Sequence, residues 1–379
     1  MLTSTQKNRY IRDISLVDEI PPPLREKLQK VTQRYAFRAN EYYLGLIDWS
    51  DPNDPIRNLI IPNEREMENW GALDASNEAA NVKAKGVQHK YDATVLLLCN
   101  EVCGAYCRYC FRKRLFMADN AEVNLDVSEG LHYISENPRV TNVLLTGGDP
   151  LLMSTRRLRY IIDRLCRIPH VKIIRIGSKM LAFDPWRVLN DPDLTDLFAH
   201  VKDRGKRIYL MAHYDHPREL TEPSVEALNR CQDSGAILCN QCPIIKGVND
   251  SAETLAELFR LLSFIGCPPY YIFQGRPTAG NEPYEVPITR GYQLVQDATR
   301  HLSGLAARVR FCMSHATGKI EINGVDEDHI YLRYHRAKDS TMVGKILVFH
   351  RDDDAYWLDQ LRPANEYTSN VCKPYCRDN

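Results

Sequence analysis

The sequence of 379 residues contains no unbroken apolar run of about eighteen residues, which leaves no candidate for a membrane-crossing helix. It also lacks net charge: 49 basic residues balance 49 acidic ones, so nothing in the overall balance draws it to nucleic acid or an anionic membrane. The opening stretch, MLTSTQKNRYIRD, has no apolar core of the secretory-signal kind, so a cytoplasmic location is expected. Low-complexity tracts are missing, and apolar content is an ordinary 44%, which argues against disorder and for a sizeable core.

Cysteine, by contrast, is plentiful. Twelve cysteines in a chain expected to stay in a reducing compartment should remain reduced, and close clusters there bind metal more often than they form disulfides. Cys166, Cys231 and Cys267 stand alone and read as small buried hydrophobes.

Three segments are expected. Residues 1–90 read as an N-terminal extension, with a helix over 23–36 and a turn-rich stretch over 41–64. Residues 91–305 carry a rhythm. The apolar runs TVLLLC, NVLLTGG, VKIIRIGS, RIYLMAH, AILCNQC and YYIFQG alternate with segments long enough for helices, several with Ser, Thr or Asp at a plausible cap. Strand then helix, six times over, implies an α/β fold of parallel strands covered by helices. A full or partial (βα) barrel and a doubly wound open sheet both fit this rhythm, and both place ligands at the C-terminal strand ends. Residues 306–379 read as a C-terminal α/β piece, in which HIYLRYHR and GKILVFHR alternate like strands.

The chemistry gathers after the first strand of the rhythm. Cys103, Cys107 and Cys110 form C-x3-C-x2-C. Three thiolates on one loop can each hold one iron of a cubane [4Fe-4S] cluster and leave the fourth iron open to a ligand. Zinc would normally want four ligands, or three and a water. Tyr109, one residue before the last cysteine, would shield the cluster or stack on a cofactor ring.

This motif resembles the radical S-adenosylmethionine (SAM) superfamily, and TGGDPL at 146–151 is similar to its glycine-rich second-strand segment. The closer resemblance is to the lysine 2,3-aminomutase family, over roughly residues 40–335. It rests on EYYLGLIDWSDPNDPIRNLIIP, CGAYCRYCFRKR, GGDPL, IIRIGSK, AHYDHPREL, NQCPIIKGVNDS, YYIFQ and the late TGK. It implies a partial (βα)6 TIM-type barrel with N- and C-terminal additions. It also implies a SAM pocket of Tyr109, Gly147, Gly148, Asp149, Ser178, His213 and Gln241. The glycines leave room for close backbone approach; Asp149 either holds the loop or meets the SAM amino group. Pyridoxal 5′-phosphate (PLP) is implied on Lys319, near Lys90 and Thr94, with Arg112 for the substrate α-carboxylate. The plainer alternatives are a surface lysine at 319 and a solvated basic patch at Arg112, Lys113 and Arg114. A reductant protein such as flavodoxin or ferredoxin and a homo-oligomer are implied as partners.

Several departures bear on function. Lysine-specific members carry several glycines before the PLP lysine, where this chain has only Gly318. Relatives place an arginine where Thr94 stands, although Lys90 matches a second basic position. Lysine-specific relatives hold the substrate ammonium between two Asp residues. Here those places carry Gly275 with Arg276, and Cys312. An ammonium would then meet no partner. The expected substrate is therefore an amino acid other than free L-lysine, with an acidic or neutral polar side group near Arg276. The alternative is that Arg276 points to an Asp or Glu across a subunit interface. The relatives' structural zinc is open here, because its position after GVND is Ser251 and the tail holds only Cys372 and Cys376. With Cys239 and Cys242 these could form another metal site if they met; more simply, Cys239 and Cys242 are core residues.

The leading expectation is an aminomutase-like isomerase that carries an α-amino group to the β-carbon by radical hydrogen abstraction. A PLP-independent radical SAM enzyme acting on another amino-acid-derived or larger substrate is the alternative. A non-catalytic iron–sulfur module is the third.

Overall fold

The computed structural model describes residues 7–117, 122–373 and 375–376. Among them, twelve strands form one sheet in which each strand neighbours the next in sequence. The strands are β1 (Val82–Ala84), β2 (Val87–Tyr91), β3 (Thr94–Asn100), β4 (Asn142–Gly147), β5 (Ile173–Ser178), β6 (Arg207–Ala212), β7 (Ile237–Pro243), β8 (Pro269–Phe273), β9 (Arg310–His315), β10 (Gly318–Val325), β11 (His329–Ala337) and β12 (Ile346–His350). From β3 to β9 all pairings are parallel; the flanking strands pair antiparallel. The first and last strands do not pair, so the barrel is partial.

The sequence rhythm counted six parallel strands; the sheet has seven. Arg310–His315, assigned above to the C-terminal piece, returns parallel to β8 because the helix Ile288–Thr299 supplies the crossover that parallel pairing needs. The sheet thus runs across both residue 90 and residue 305 without a break.

Helices cover the outer face for the reason the pattern suggested. In Thr155–Arg167, the buried Leu158, Ile161, Ile162 and Leu165 repeat at helical spacing, and Ser154 caps the start by accepting the Arg157 N–H. Thr221 and Ser251 cap Glu222–Asp233 and Ala252–Phe264 in the same way. Strand alternation does the rest. In β5, Ile174 and Ile176 enter the core, while Arg175 and Gly177 face the interior cavity. Among the described residues no helix is long and apolar enough to cross a membrane.

The N-terminal region packs against the cysteine loop. Its helix, Pro22–Arg34, joins an apolar cluster in which Ile14, Leu28, Tyr43 and Leu59 meet Ala105, Tyr109 and Phe183. Backbone bonds tie the loop down: Tyr106 N–H donates to the Arg38 carbonyl and Arg108 N–H to that of Leu59, both at 2.9 Å. Beneath them Glu66, fully buried, receives Arg108 at 2.7 Å and Lys113 at 3.0 Å. Burial alone would raise the Glu66 carboxyl, but those two cations hold it below the usual range. Glu66→Ala would strand two buried cations at once. The expected cost is about 3–5 kcal/mol, read as a fall in unfolding free energy.

Candidate active site

Every residue expected to hold the cluster, SAM, PLP or the substrate lines one cavity of about 370 Å³ inside the open barrel. One wall is the cysteine loop. The loops after β4, β5 and β6 form the rim, and β7 contributes Gln241. Deeper in lie Lys90, Thr94, Arg175, Lys319 and Arg336.

Burial pushes the Cys107 thiol up to about 12 and the Cys103 and Cys110 thiols upward as well. For Cys103 and Cys107 the neighbouring thiols add to the rise. A thiolate in so dry a place needs a cationic partner, and a donor set of three soft sulfurs suits iron. Among the described residues no three Cys, His, Asp or Glu side chains are drawn together as a metal group. Cys239, Cys242 and Cys372 are buried in the core.

The second-strand glycines line the cavity and also pack closely against backbone. Gly147 has φ +110°, and a Cβ there would lie 2.4 Å from the Asn100 carbonyl oxygen. A Cβ on Gly148 would lie 2.5 Å from that of Val102. The close approach is to the backbone that launches the cysteine loop. Asp149 holds the same junction. It accepts from Ser178 Oγ at 3.0 Å, Lys179 N–H at 2.7 Å and Leu151 N–H at 3.0 Å. Both its oxygens are occupied, which favours the loop-holding role; burial raises its carboxyl to about 6.

Tyr109 and His213 are set by a residue the sequence analysis passed over. Fully buried Asp215 accepts from the Tyr109 hydroxyl, pairs with His213 Nε2 at 3.0 Å, and meets Lys179 Nζ at 2.6 Å. Burial opposes its charge, but His213 and Lys179 hold its carboxyl well below the usual range. The segment HYDHP contained the signal: an acid two residues after the histidine. His216 is structural, its Nδ1 accepting the Arg218 N–H.

Arg112 and Arg276 share one carboxylate. Arg112 reaches Glu78 through Nε at 3.1 Å and Nη2 at 3.2 Å, and donates through Nη1 to Thr146 at 2.9 Å. Arg276 reaches Glu78 at 3.4 Å and lies 3.7 Å over the Phe111 ring. Arg114 adds a third guanidinium at 2.8 Å. Burial works against the Glu78 charge, yet the three arginines hold its carboxyl far below normal. The acid facing Arg276 thus belongs to the same chain. Nothing in the sequence around residue 78 marked it out.

Lys319 is no surface lysine. Its ammonium lies 4.0 Å from the Tyr271 ring centre and 4.4 Å from that of Phe273. Burial lowers it to about 7; Cys312 opposes that, and Arg276, Arg175 and Arg336 reinforce it. Lys90 is also lowered to about 7, by burial and then by Arg276, and its Nζ donates to the His315 carbonyl. Arg175 Nε and Gln88 Nε2 are buried without acceptors among the described residues.

No family model matches the chain. An Aquifex aeolicus protein named "Putative L-lysine 2,3-aminomutase" is 55% identical over 368 residues, covering 97% of this chain and 98% of that one. The chain belongs to the lysine 2,3-aminomutase-like family of radical SAM enzymes. The L-lysine 2,3-aminomutase of Clostridium subterminale is 36% identical, over 69% of this chain and 62% of that one. The glutamate 2,3-aminomutase of Clostridioides difficile is 30% identical, over 74% and 66%. The family therefore includes relatives named for a basic and for an acidic amino acid, and membership leaves the substrate to the cavity's own residues.

Proposed function

We propose that the protein is a radical SAM 2,3-aminomutase that moves the α-amino group of a small amino acid to its β-carbon, with PLP on Lys319. The observation that carries this reading is Lys319 itself. It is an amine lowered to about 7, with no carboxylate partner among the described residues, facing the same cavity as the three loop cysteines.

The residues fit the groups the family implies. Cys103, Cys107 and Cys110 would hold three irons and leave the fourth to SAM. When bound, the cluster and SAM supply a 5′-deoxyadenosyl radical, and PLP supplies a conjugated ring that stabilises a radical beside the migrating nitrogen. Tyr109 and His213, locked by Asp215, and Gln241 wall the SAM side. Arg112 keeps two N–H groups beyond its three bonds, enough for a bidentate grip on an α-carboxylate. Lys90, Thr94 and the unpartnered Arg175 Nε and Gln88 Nε2 offer donors for a phosphate. An exposed iron fits a reducing cytoplasm. The electron would come from a protein such as flavodoxin or ferredoxin, and the terminal segments would serve a homo-oligomer.

The test is anaerobic reconstitution of the cluster, addition of PLP, borohydride reduction, and mass mapping of the adduct, with Lys319→Ala as control. A stoichiometric pyridoxyl group on Lys319 supports the reading. SAM cleavage without an adduct supports a PLP-independent radical enzyme. The adduct should also form with a pH midpoint near 7, because a lysine of that pKa is protonated below it and a free nucleophile above it. An ordinary lysine would need a pH of about 10.

A further inference from the structure

Most positive charges around the cysteine loop have a carboxylate partner. Lys179 acts on Cys107 and is held by Asp215 and Glu219. Arg112, Lys113 and Arg114 act on Cys110; Glu78 holds the two arginines and Glu66 the lysine. Arg38, from the N-terminal region, is different. It is 6% exposed, and among the described residues no carboxylate pairs with it and its buried Nε has no acceptor. Its guanidinium lies 4.4 Å from the Tyr10 ring centre. Asp184 accepts instead from the Tyr10 hydroxyl at 2.9 Å and from Asn8 Nδ2 at 2.7 Å. Burial, and then Arg12, work against the Arg38 charge; Tyr106, Tyr10 and Cys103 favour it.

A buried guanidinium without an anion is costly. Arg38 lies outside the cavity lining, so a ligand in that cavity does not supply the anion. Its backbone is fixed to the cysteine loop: its carbonyl receives the N–H of Tyr106, the residue before Cys107, at 2.9 Å. The anion within its reach is the one the loop would hold. A cubane cluster on three thiolates carries net negative charge, and the electron it takes up before SAM is cleaved adds to that charge. At low dielectric a nearby cation stabilises the more negative state more strongly, so the electron is easier to add.

We propose that Arg38 is the unpaired positive charge on the Cys103 side of the cluster and raises the cluster's reduction potential into the reach of its electron-carrier protein. One electron passes from the reduced carrier to the cluster; no bond forms or breaks in that step. The proposal rests on the reading that Cys103, Cys107 and Cys110 hold the cluster. It gives the N-terminal region a part in the chemistry beyond clamping the loop. Each of the other two sulfurs has a cation whose charge a carboxylate already offsets, and Arg38 is offset by none among the described residues.

The test is a reductive titration of the anaerobically reconstituted protein with SAM omitted, so that nothing turns over. The reduced cluster is followed by electron paramagnetic resonance, and iron per chain is measured on each sample. Arg38→Gln should take up its electron at least about tenfold less readily, which places its potential about 59 mV more negative. Arg38→Lys keeps the charge and should stay within about threefold of wild type. Arg12→Gln is the control: Arg12 is exposed, water and salt screen it, and its loss should change the equilibrium less than about threefold. Iron per chain should match wild type in all three, because the bond to Tyr106 comes from the Arg38 backbone. An unchanged potential in Arg38→Gln, an equal shift in Arg38→Lys or in Arg12→Gln, or loss of iron from Arg38→Gln would each overturn the proposal. The last of these would make Arg38 a structural residue of the loop. Failure of the cluster reading shows separately, as no iron–sulfur absorbance in the wild type.

Discussion

Cys107→Ala should abolish the iron–sulfur absorbance of the reconstituted protein and bring 5′-deoxyadenosine formation to background, a fall of roughly 10⁶-fold or more. The argument is one of ligand count. Three thiols in one loop would serve three irons, so removing one sulfur leaves an iron without its ligand. The loop is pinned by the N-terminal region through the Arg38 and Leu59 carbonyls and the buried Glu66, so it should remain folded when one sulfur is removed. Cys99→Ala is the control. Cys99 is buried in β3 with its Sγ 3.8 Å from the Thr146 carbonyl, outside the cavity lining. It should lose some stability and keep the cluster. A cluster that survives Cys107→Ala, measured as iron per chain, would remove the assignment.

The second large effect concerns Lys319. Lys319→Ala should lower aminomutase turnover by roughly 10³-fold or more and abolish the borohydride-stable adduct. SAM cleavage should persist, because the cysteine loop, Tyr109, His213 and Asp215 form a separate wall. Lys319→Arg is the stricter variant: it keeps the positive charge and loses the amine that bonds to the cofactor. Lys319→Ala should not melt much below wild type, because removing the lysine relieves repulsion from Arg175, Arg276 and Arg336. If both variants keep turnover, Lys319 is not the attachment point.

The departures from the family pattern show where sequence comparison reaches its limit. Two aspartates are missing at the places where lysine-specific relatives hold an ammonium, and one of those places carries Arg276. A position-by-position reading takes Arg276 for a charge in search of a substrate, but Glu78, from a stretch with no motif, takes up part of that charge. The partner of Arg276 lay far from the aligned position, on another turn of the chain.

The sequence by itself determined the alternation of strands and helices, because apolar periodicity and capping residues are local properties with periods of two and 3.6. It also determined the cysteine triad and the residues at the strand ends, because a loop motif of fixed spacing carries its chemistry with it. The tertiary structure decided what depends on contacts between distant segments. It added a seventh parallel strand, turned the paired glycines toward the backbone of residues 100–102, and assigned Asp215 to Tyr109 and His213. It also brought Glu78 to three arginines. A buried charge finds its partner across the fold, through low-dielectric contact and exclusion of water, and neither leaves a spacing in the sequence.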